Sequence, residues 1–133
     1  MKTRPLVLVV DDDPDILDAI CDILEVERYR VSRARNGAEA LQRVDDERPD
    51  VILLDLMMPV MDGVTFAHVL HQRPAVRDIP ILVISADGNP QRAASVGARG
   101  YLAKPFDIDA LLGHVVALAG RPGPPAGEPR PGA

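Results

Sequence analysis

Two short apolar runs, each closing on aspartate, constrain this chain more than any other feature. Val51-Ile52-Leu53-Leu54 leads into Asp55, and Leu6-Val7-Leu8-Val9-Val10 leads into Asp11-Asp12-Asp13. Unbroken aliphatic runs of this length predict strands buried on both faces, as in a parallel sheet covered by helices on each side. After Asp55, Pro59 and Gly63 prevent the strand from continuing. Open parallel sheets bind their ligands beyond the carboxyl ends of the strands, so both acidic ends fall where chemistry takes place.

The rest of the chain alternates in the same way. Asp12 or Asp13 can cap a helix that carries Pro14 in its first turn, where a missing N–H costs little. Ile16, Leu17, Ile20, Ile23 and Leu24 then fall on one helical face. Arg30–Ala34 predicts a short second strand whose polar character places it at a sheet edge, and Asn36-Gly37 turns the chain into a helix reaching about Asp46. The third strand, Val51–Leu54, precedes a helix from Val64 to about Gln72; Pro80–Ile84 is the fourth strand, with proline tolerated at its first position. A short helix over Gln91–Val96, a fifth strand over Gly100–Ala103 and a last helix over Ile108–Leu118 complete the pattern. Five strands alternating with five helices specify an α/β fold, a parallel sheet with helices on both faces.

At 133 residues the expectation is one domain. Residues 1–119 form that domain. The sequence from Gly120 to Ala133 is Pro/Gly-rich, unable to bury apolar surface, and is expected to be a disordered tail or a linker. An apolar content of 47% with only four Phe and Tyr residues calls for an aliphatic core. The net charge of −5 leaves no electrostatic footprint for direct nucleic-acid binding. Cys21 is the single cysteine, which suits a reducing, cytoplasmic setting and reads as a buried thiol. The N-terminal apolar run is too short for a membrane span or a signal sequence.

With the first and third strands adjacent at the switch point of such a sheet, Asp11, Asp12 and Asp55 converge. Two carboxylates about 5 Å apart repel by roughly 3 kcal/mol at an effective dielectric near 20, so three need a counter-charge, a shared proton or solvent. A hard divalent cation is the natural partner, Mg²⁺ or Mn²⁺ in its place. Helix capping alone suits Asp13 but leaves Asp55, followed by an irregular loop, unexplained. Ser85 and Lys104 end two further strands on the same edge. Each alone is a weak signal. Together they supply the hydroxyl donor and the point charge that a phosphoryl group on a carboxylate requires. Lys104 is also one of only two lysines among fifteen basic residues.

Val10-Asp11-Asp12, Leu54-Asp55, Met58-Pro59 with Met61-Asp62-Gly63, Ile84-Ser85-Ala86 and Lys104-Pro105-Phe106 occur in an order that closely resembles the receiver domains of two-component response regulators, over about Leu6 to Leu118. The resemblance implies a doubly wound, flavodoxin-like sheet of strand order 2-1-3-4-5. It implies that Asp55 accepts a phosphoryl group from a phosphohistidine on a sensor histidine kinase or phosphotransfer protein. Asp12, Asp55 and the Met57 carbonyl would bind the metal directly, and Asp11 mainly through water. Lys104, joined to Pro105 by a cis bond, would contact the phosphoryl group. Ser85 would move toward it and Tyr101 would turn inward, reshaping the surface of the fourth helix, fifth strand and fifth helix for a downstream protein. The domain would be a monomer or a weak phosphorylation-dependent dimer.

The chain departs from the family pattern downstream of Ser85. The Ser85–Lys104 spacing is shorter than usual, and Asp87-Gly88-Asn89-Pro90 is a strong turn signal where the fourth helix should begin, so that helix is expected to lose a turn. Met57 and Asp87 stand two residues after Asp55 and Ser85, positions that in the family tune phosphoryl lifetime. A haloacid-dehalogenase-type phosphatase also uses a strand-end aspartate, but it needs an acid where this chain has Met57. A phosphorylation-independent interaction module is the third reading. His68 and His71, three apart on one helix and without a nearby cysteine, read as solvated or partly packed rather than metal-binding.

Overall fold

The computed structural model describes residues 4–58, 60–86 and 90–122. Five parallel strands form a single sheet in the order β2-β1-β3-β4-β5. They are β1 (Leu6–Val10), β2 (Arg30–Ala34), β3 (Val51–Leu54), β4 (Ile81–Ser85) and β5 (Gly100–Ala103). The helices are α1 (Pro14–Val26), α2 (Gly37–Asp46), α3 (Gly63–His71), α4 (Pro90–Ser95) and α5 (Ile108–Ala119). This is the flavodoxin-like arrangement expected from the strand–helix alternation and the family resemblance.

The central strands β1, β3 and β4 are aliphatic up to Ser85 because alternate side chains enter different cores. Leu8, Val10, Ile52, Leu54, Ile81 and Val83 pack with Ala40, Val44, Phe66 and Leu70 of α2 and α3. Val7, Val9, Val51, Leu53, Leu82 and Ile84 pack with Leu17, Ile20, Leu24, Leu111 and Val115 of α1 and α5. Cys21 lies in the second core, fully buried, and burial pushes its thiol up to about 11, the behaviour of an inert packing group. At the edge, β2 is only partly covered, as its arginines and serine foretold.

Local chemistry sets the helix starts. Asp13 caps α1, its carboxylate accepting the Asp15 and Ile16 N–H groups at 2.9 and 3.4 Å. Asn36 caps α2 by accepting the Glu39 N–H at 2.9 Å, and the Glu39 carboxylate accepts the Arg35 N–H in return. Asp62 caps α3 at 2.8 Å, so that helix begins at Gly63, one residue before the boundary read from the sequence. β4 is displaced by one residue as well. It ends at Ser85 rather than before it, because the Lys104 N–H donates to the Ser85 carbonyl and extends the ladder.

At six residues α4 is the shortest of these helices, as anticipated. Asp87-Gly88-Asn89, where the sequence signals a turn, Pro59, and the residues after Pro122, where it signals a tail, lie outside the described residues. Among the described residues no helix is long and apolar enough to cross a membrane.

Candidate phosphoryl-acceptor site

The backbone ladder continues past the strand ends and delivers the acids to one point. The Asp11 N–H donates to the Ala34 carbonyl at 3.1 Å and the Asp55 N–H to the Val10 carbonyl at 3.0 Å. Asp11 and Asp55 are thereby buried, at 2% and 6% exposure, while Asp12 faces solvent. One oxygen from each of Asp11, Asp12 and Asp55 lies within 4.8 Å of the others. Charges that close repel by about 3 kcal/mol per pair at an effective dielectric near 20, so the cluster demands cations.

Lys104 supplies one. Its Nζ lies 2.8 Å from Asp11 Oδ2 and 3.3 Å from Asp55 Oδ2, and the side chain is largely buried. The peptide bond to Pro105 is cis, as the family pattern implied. Each buried carboxylate also accepts a backbone N–H: Asp13 donates to Asp11 Oδ1 at 2.9 Å and Met57 to Asp55 Oδ1 at 3.1 Å. Sequence reasoning missed both donors, because they arise only when the loops curl over the strand ends.

Burial raises the Asp55 carboxyl above its ordinary range, with the Asp11 charge adding to it; the Met57 N–H and Lys104 pull the other way without cancelling the rise. For Lys104, burial opposes the charged form, but the hydrogen bond to Asp11 and the charges of Asp11 and Asp55 outweigh it, so its ammonium is held above its ordinary value.

Ser85 is fully buried at the end of β4, and Tyr101 pairs in register with Val83 on β5. The Tyr101 ring packs against the core shared with Val83, Ala93 and Val96, but its hydroxyl is buried without a hydrogen-bond partner among the described residues. The loop after β3 is pressed tightly onto the site. A Cβ on Gly63 would stand 2.6 Å from the Asp55 carbonyl oxygen, and one on Gly37 would stand 2.9 Å from the Met61 carbonyl that accepts the Gly37 N–H. Only glycine permits either approach.

A cavity of about 420 Å³ opens beside the acids, lined by Asp12, Met57, Met58, Asp62 and Arg92 among others. A larger one of about 660 Å³, near Tyr29, Leu112 and Arg121, lies away from the strands' carboxyl ends and gathers none of these groups. His68 and His71 are exposed, and the three aspartates form the only metal-competent acidic or histidine cluster among the described residues.

The family model for the response regulator receiver domain matches residues 7–116. The chain belongs to that family, and as a receiver domain it is a phosphorylation-receiving signalling module. It is 43% identical over 124 residues to the transcriptional regulatory protein PrrA of Mycobacterium tuberculosis, an alignment that covers 91% of this chain and 52% of PrrA. It thus spans about half the length of the curated relatives it matches. Among solved structures, the chemotaxis response regulator CheY4 of Vibrio cholerae superposes with a TM-score of 0.81 at 34% identity, covering 87% of this chain and 99% of that one. The receiver domain of the sensor histidine kinase PA1611 from Pseudomonas aeruginosa PAO1, solved with a magnesium ion coordinated in its active-site cleft, superposes with a TM-score of 0.81 at 28% identity, covering 88% of this chain and 98% of that one. The family match sets the phosphatase reading aside, and Met57 offers no acid to revive it.

Proposed function

We propose that Asp55 is the phosphoryl acceptor of a cytoplasmic signalling switch whose donor is the phosphohistidine of a sensor kinase or a phosphotransfer protein. The observation that carries this reading is the buried ammonium of Lys104, set between Asp11 and Asp55 with Asp12 alongside. In the transfer, a carboxylate oxygen of Asp55 bonds to phosphorus while the phosphorus–nitrogen bond of phosphohistidine breaks and its electron pair returns to the imidazole. Lys104 neutralises charge on the phosphoryl oxygens. The raised Asp55 carboxyl marks a more basic, more nucleophilic carboxylate than a solvated one.

The donor set is all oxygen and net acidic, which suits a hard divalent ion. Asp12, Asp55 and the Met57 carbonyl would hold Mg²⁺, with Asp11 acting through water; when bound, the ion offsets negative charge on the phosphoryl oxygens. Mn²⁺ shares the preference for oxygen ligands and would fill the same site.

A phosphoryl group adds a charge of about −1.5 to −2, enough to draw the Ser85 hydroxyl toward it. Tyr101, with its hydroxyl unsatisfied, then repacks, and the surface built from α4, β5 and α5 changes for a downstream protein. Slow loss of the phosphoryl group to water, within the same site, resets the switch. Residues 1–119 constitute the functional unit, acting as a monomer or a weak phosphorylation-dependent dimer, with 120–133 as tail or linker. The test is NMR of the protein with Mg²⁺ and beryllofluoride, an acyl-phosphate mimic. Ser85 and Tyr101 resonances should shift in the native protein and stay unmoved in Asp55→Asn; an equal response in that variant defeats the reading.

A further inference from the structure

Arg92 is the one arginine of α4, and it is directed at the mouth of the acidic site. Its Nη1 lies 3.5 Å from the Met57 sulfur. Met57 is two residues beyond Asp55 and its N–H is held by the Asp55 carboxylate. Arg92 and Met57 share the 420 Å³ cavity with Asp12 and Asp62, and the Asp12 carboxylate is within 4.8 Å of those of Asp11 and Asp55. Ala93, the next residue, is buried at 3% exposure in the core, so the helix carrying Arg92 is anchored while the guanidinium stays exposed.

A thioether is a weak acceptor, so the Met57 sulfur marks where the guanidinium lies rather than what draws it there. The neighbouring carboxylates supply the attraction that favours a cation at this rim. Lys104 occupies the inner side of the acid cluster, and Arg92 stands on the outer side. An anionic phosphoryl group entering this cavity meets Arg92 in its lining. The planar fork of arginine can grip two phosphoryl oxygens at once.

Building on the acceptor role proposed for Asp55, we propose that Arg92 is a second cationic contact of the phosphoryl group: it captures the anionic donor at the cavity mouth and, after transfer, leaves Met57 to hold the phosphoryl oxygens. Loss of the group requires a water oxygen to bond to phosphorus as the bond to the Asp55 oxygen breaks, releasing inorganic phosphate, regenerating the carboxylate and passing the water's proton to phosphate or solvent. With Arg92 closed over the phosphoryl group and Met57 beside it, the approach of that water is obstructed, which prolongs the phosphorylated state. The side chain swings on its own bonds, so the backbone of α4 need not move.

The experiment measures phosphorylation by acetyl phosphate with Mg²⁺, and the half-life of the product, at low and high salt. Native protein, Arg92→Ala, Arg92→Lys and Asp55→Asn are compared. Arg92→Ala should slow phosphorylation and shorten the half-life by about two- to fivefold, the scale of one solvent-exposed charged contact. Its rate should also lose part of the salt dependence seen in the native protein. Arg92→Lys should restore the salt dependence, a readout that a purely structural role of Arg92 would not move. If native protein is labelled at Asp55 while Arg92→Ala matches it in rate, half-life and salt dependence, the inference fails alone. If the native protein accepts no phosphoryl group, or Asp55→Asn accepts it equally, the acceptor reading fails and takes the inference with it.

Discussion

Lys104 is bound more closely by Asp11, at 2.8 Å, than by Asp55, at 3.3 Å. The residue proposed to receive the phosphoryl group thus holds the looser share of the lysine. Asp11 anchors the ammonium and leaves it free to follow charge as charge builds at Asp55. The arrangement predicts unequal effects of removing Asp11 and of removing the Lys104 ammonium. Asp11→Asn should weaken Mg²⁺-supported phosphorylation by an order of magnitude or more while leaving acceptance measurable, on the scale of about 1.4 kcal/mol per tenfold change. Lys104→Met should slow acceptance more severely, because no other buried cation faces Asp55 among the described residues. Initial rates of phosphotransfer to the two variants check the order.

The elevated Asp55 carboxyl makes a stability prediction with a definite sign. Its native pKa lies above the ordinary value of 3.8, so in the window between the two the folded protein binds more protons than the unfolded chain. Stability therefore falls as pH rises through that window, and the group contributes no further loss above it. Asp55→Asn removes this cost. Relief of the Asp11–Asp55 repulsion, offset by the lost attraction to Lys104, should leave the variant more stable by on the order of 1 kcal/mol at neutral pH, a Tm increase of roughly 4 °C. The gain should shrink on acidification, and thermal melts at a series of pH values read it directly.

For Lys104 the sign is reversed. A raised ammonium pKa contributes stability that is fully present below the unfolded value of 10.5 and is lost as pH rises through the higher native value. The pairing should thus survive mildly alkaline solution. An NMR titration of the Lys104 side chain should place its deprotonation midpoint above 10.5.

Tyr101 carries a buried hydroxyl without a partner among the described residues, and such a group costs about 1–3 kcal/mol. Tyr101→Phe should leave the ring packing intact and leave the protein equally stable or stabilised by about 1 kcal/mol. Denaturant midpoints measure the effect. A loss of stability would mean that the hydroxyl finds a partner.

Val60 is a β-branched residue at φ 66°, in the left-handed region, and its side chain is 86% exposed. It therefore pays backbone strain without compensating burial. Val60→Gly, or Val60→Asn, should stabilise the domain by about 1 kcal/mol, with asparagine retaining more loop order. Gly63→Ala in the same loop should do the reverse and destabilise by several kcal/mol, since its Cβ would meet the Asp55 backbone at 2.6 Å.

Most of this architecture is legible in the sequence because the signals are physical and local. Val51–Leu54 is apolar at every position since Ile52 and Leu54 enter one core and Val51 and Leu53 the other. Asp55 and Asp11 were identifiable because they interrupt such runs at the ligand-binding edge. The boundaries shifted where a tertiary contact decides them. Ser85 joins β4 through a bond from Lys104, nineteen residues on, and α3 starts at Gly63 because Asp62 caps it. Arg92 gave no signal at all. Its contact with Met57 spans 35 residues and depends on how a short helix is set against a loop, which no periodicity encodes.

The central claim is that Asp55 receives the phosphoryl group, and site mapping tests it most directly. The protein is incubated with a phosphorylated sensor kinase and Mg²⁺, the acyl phosphate is trapped by borohydride reduction, and the modified residue is located by peptide mass spectrometry. The account predicts modification at Asp55 alone and none in Asp55→Asn. Modification at Asp11 or Asp12, or undiminished labelling of Asp55→Asn, would contradict it.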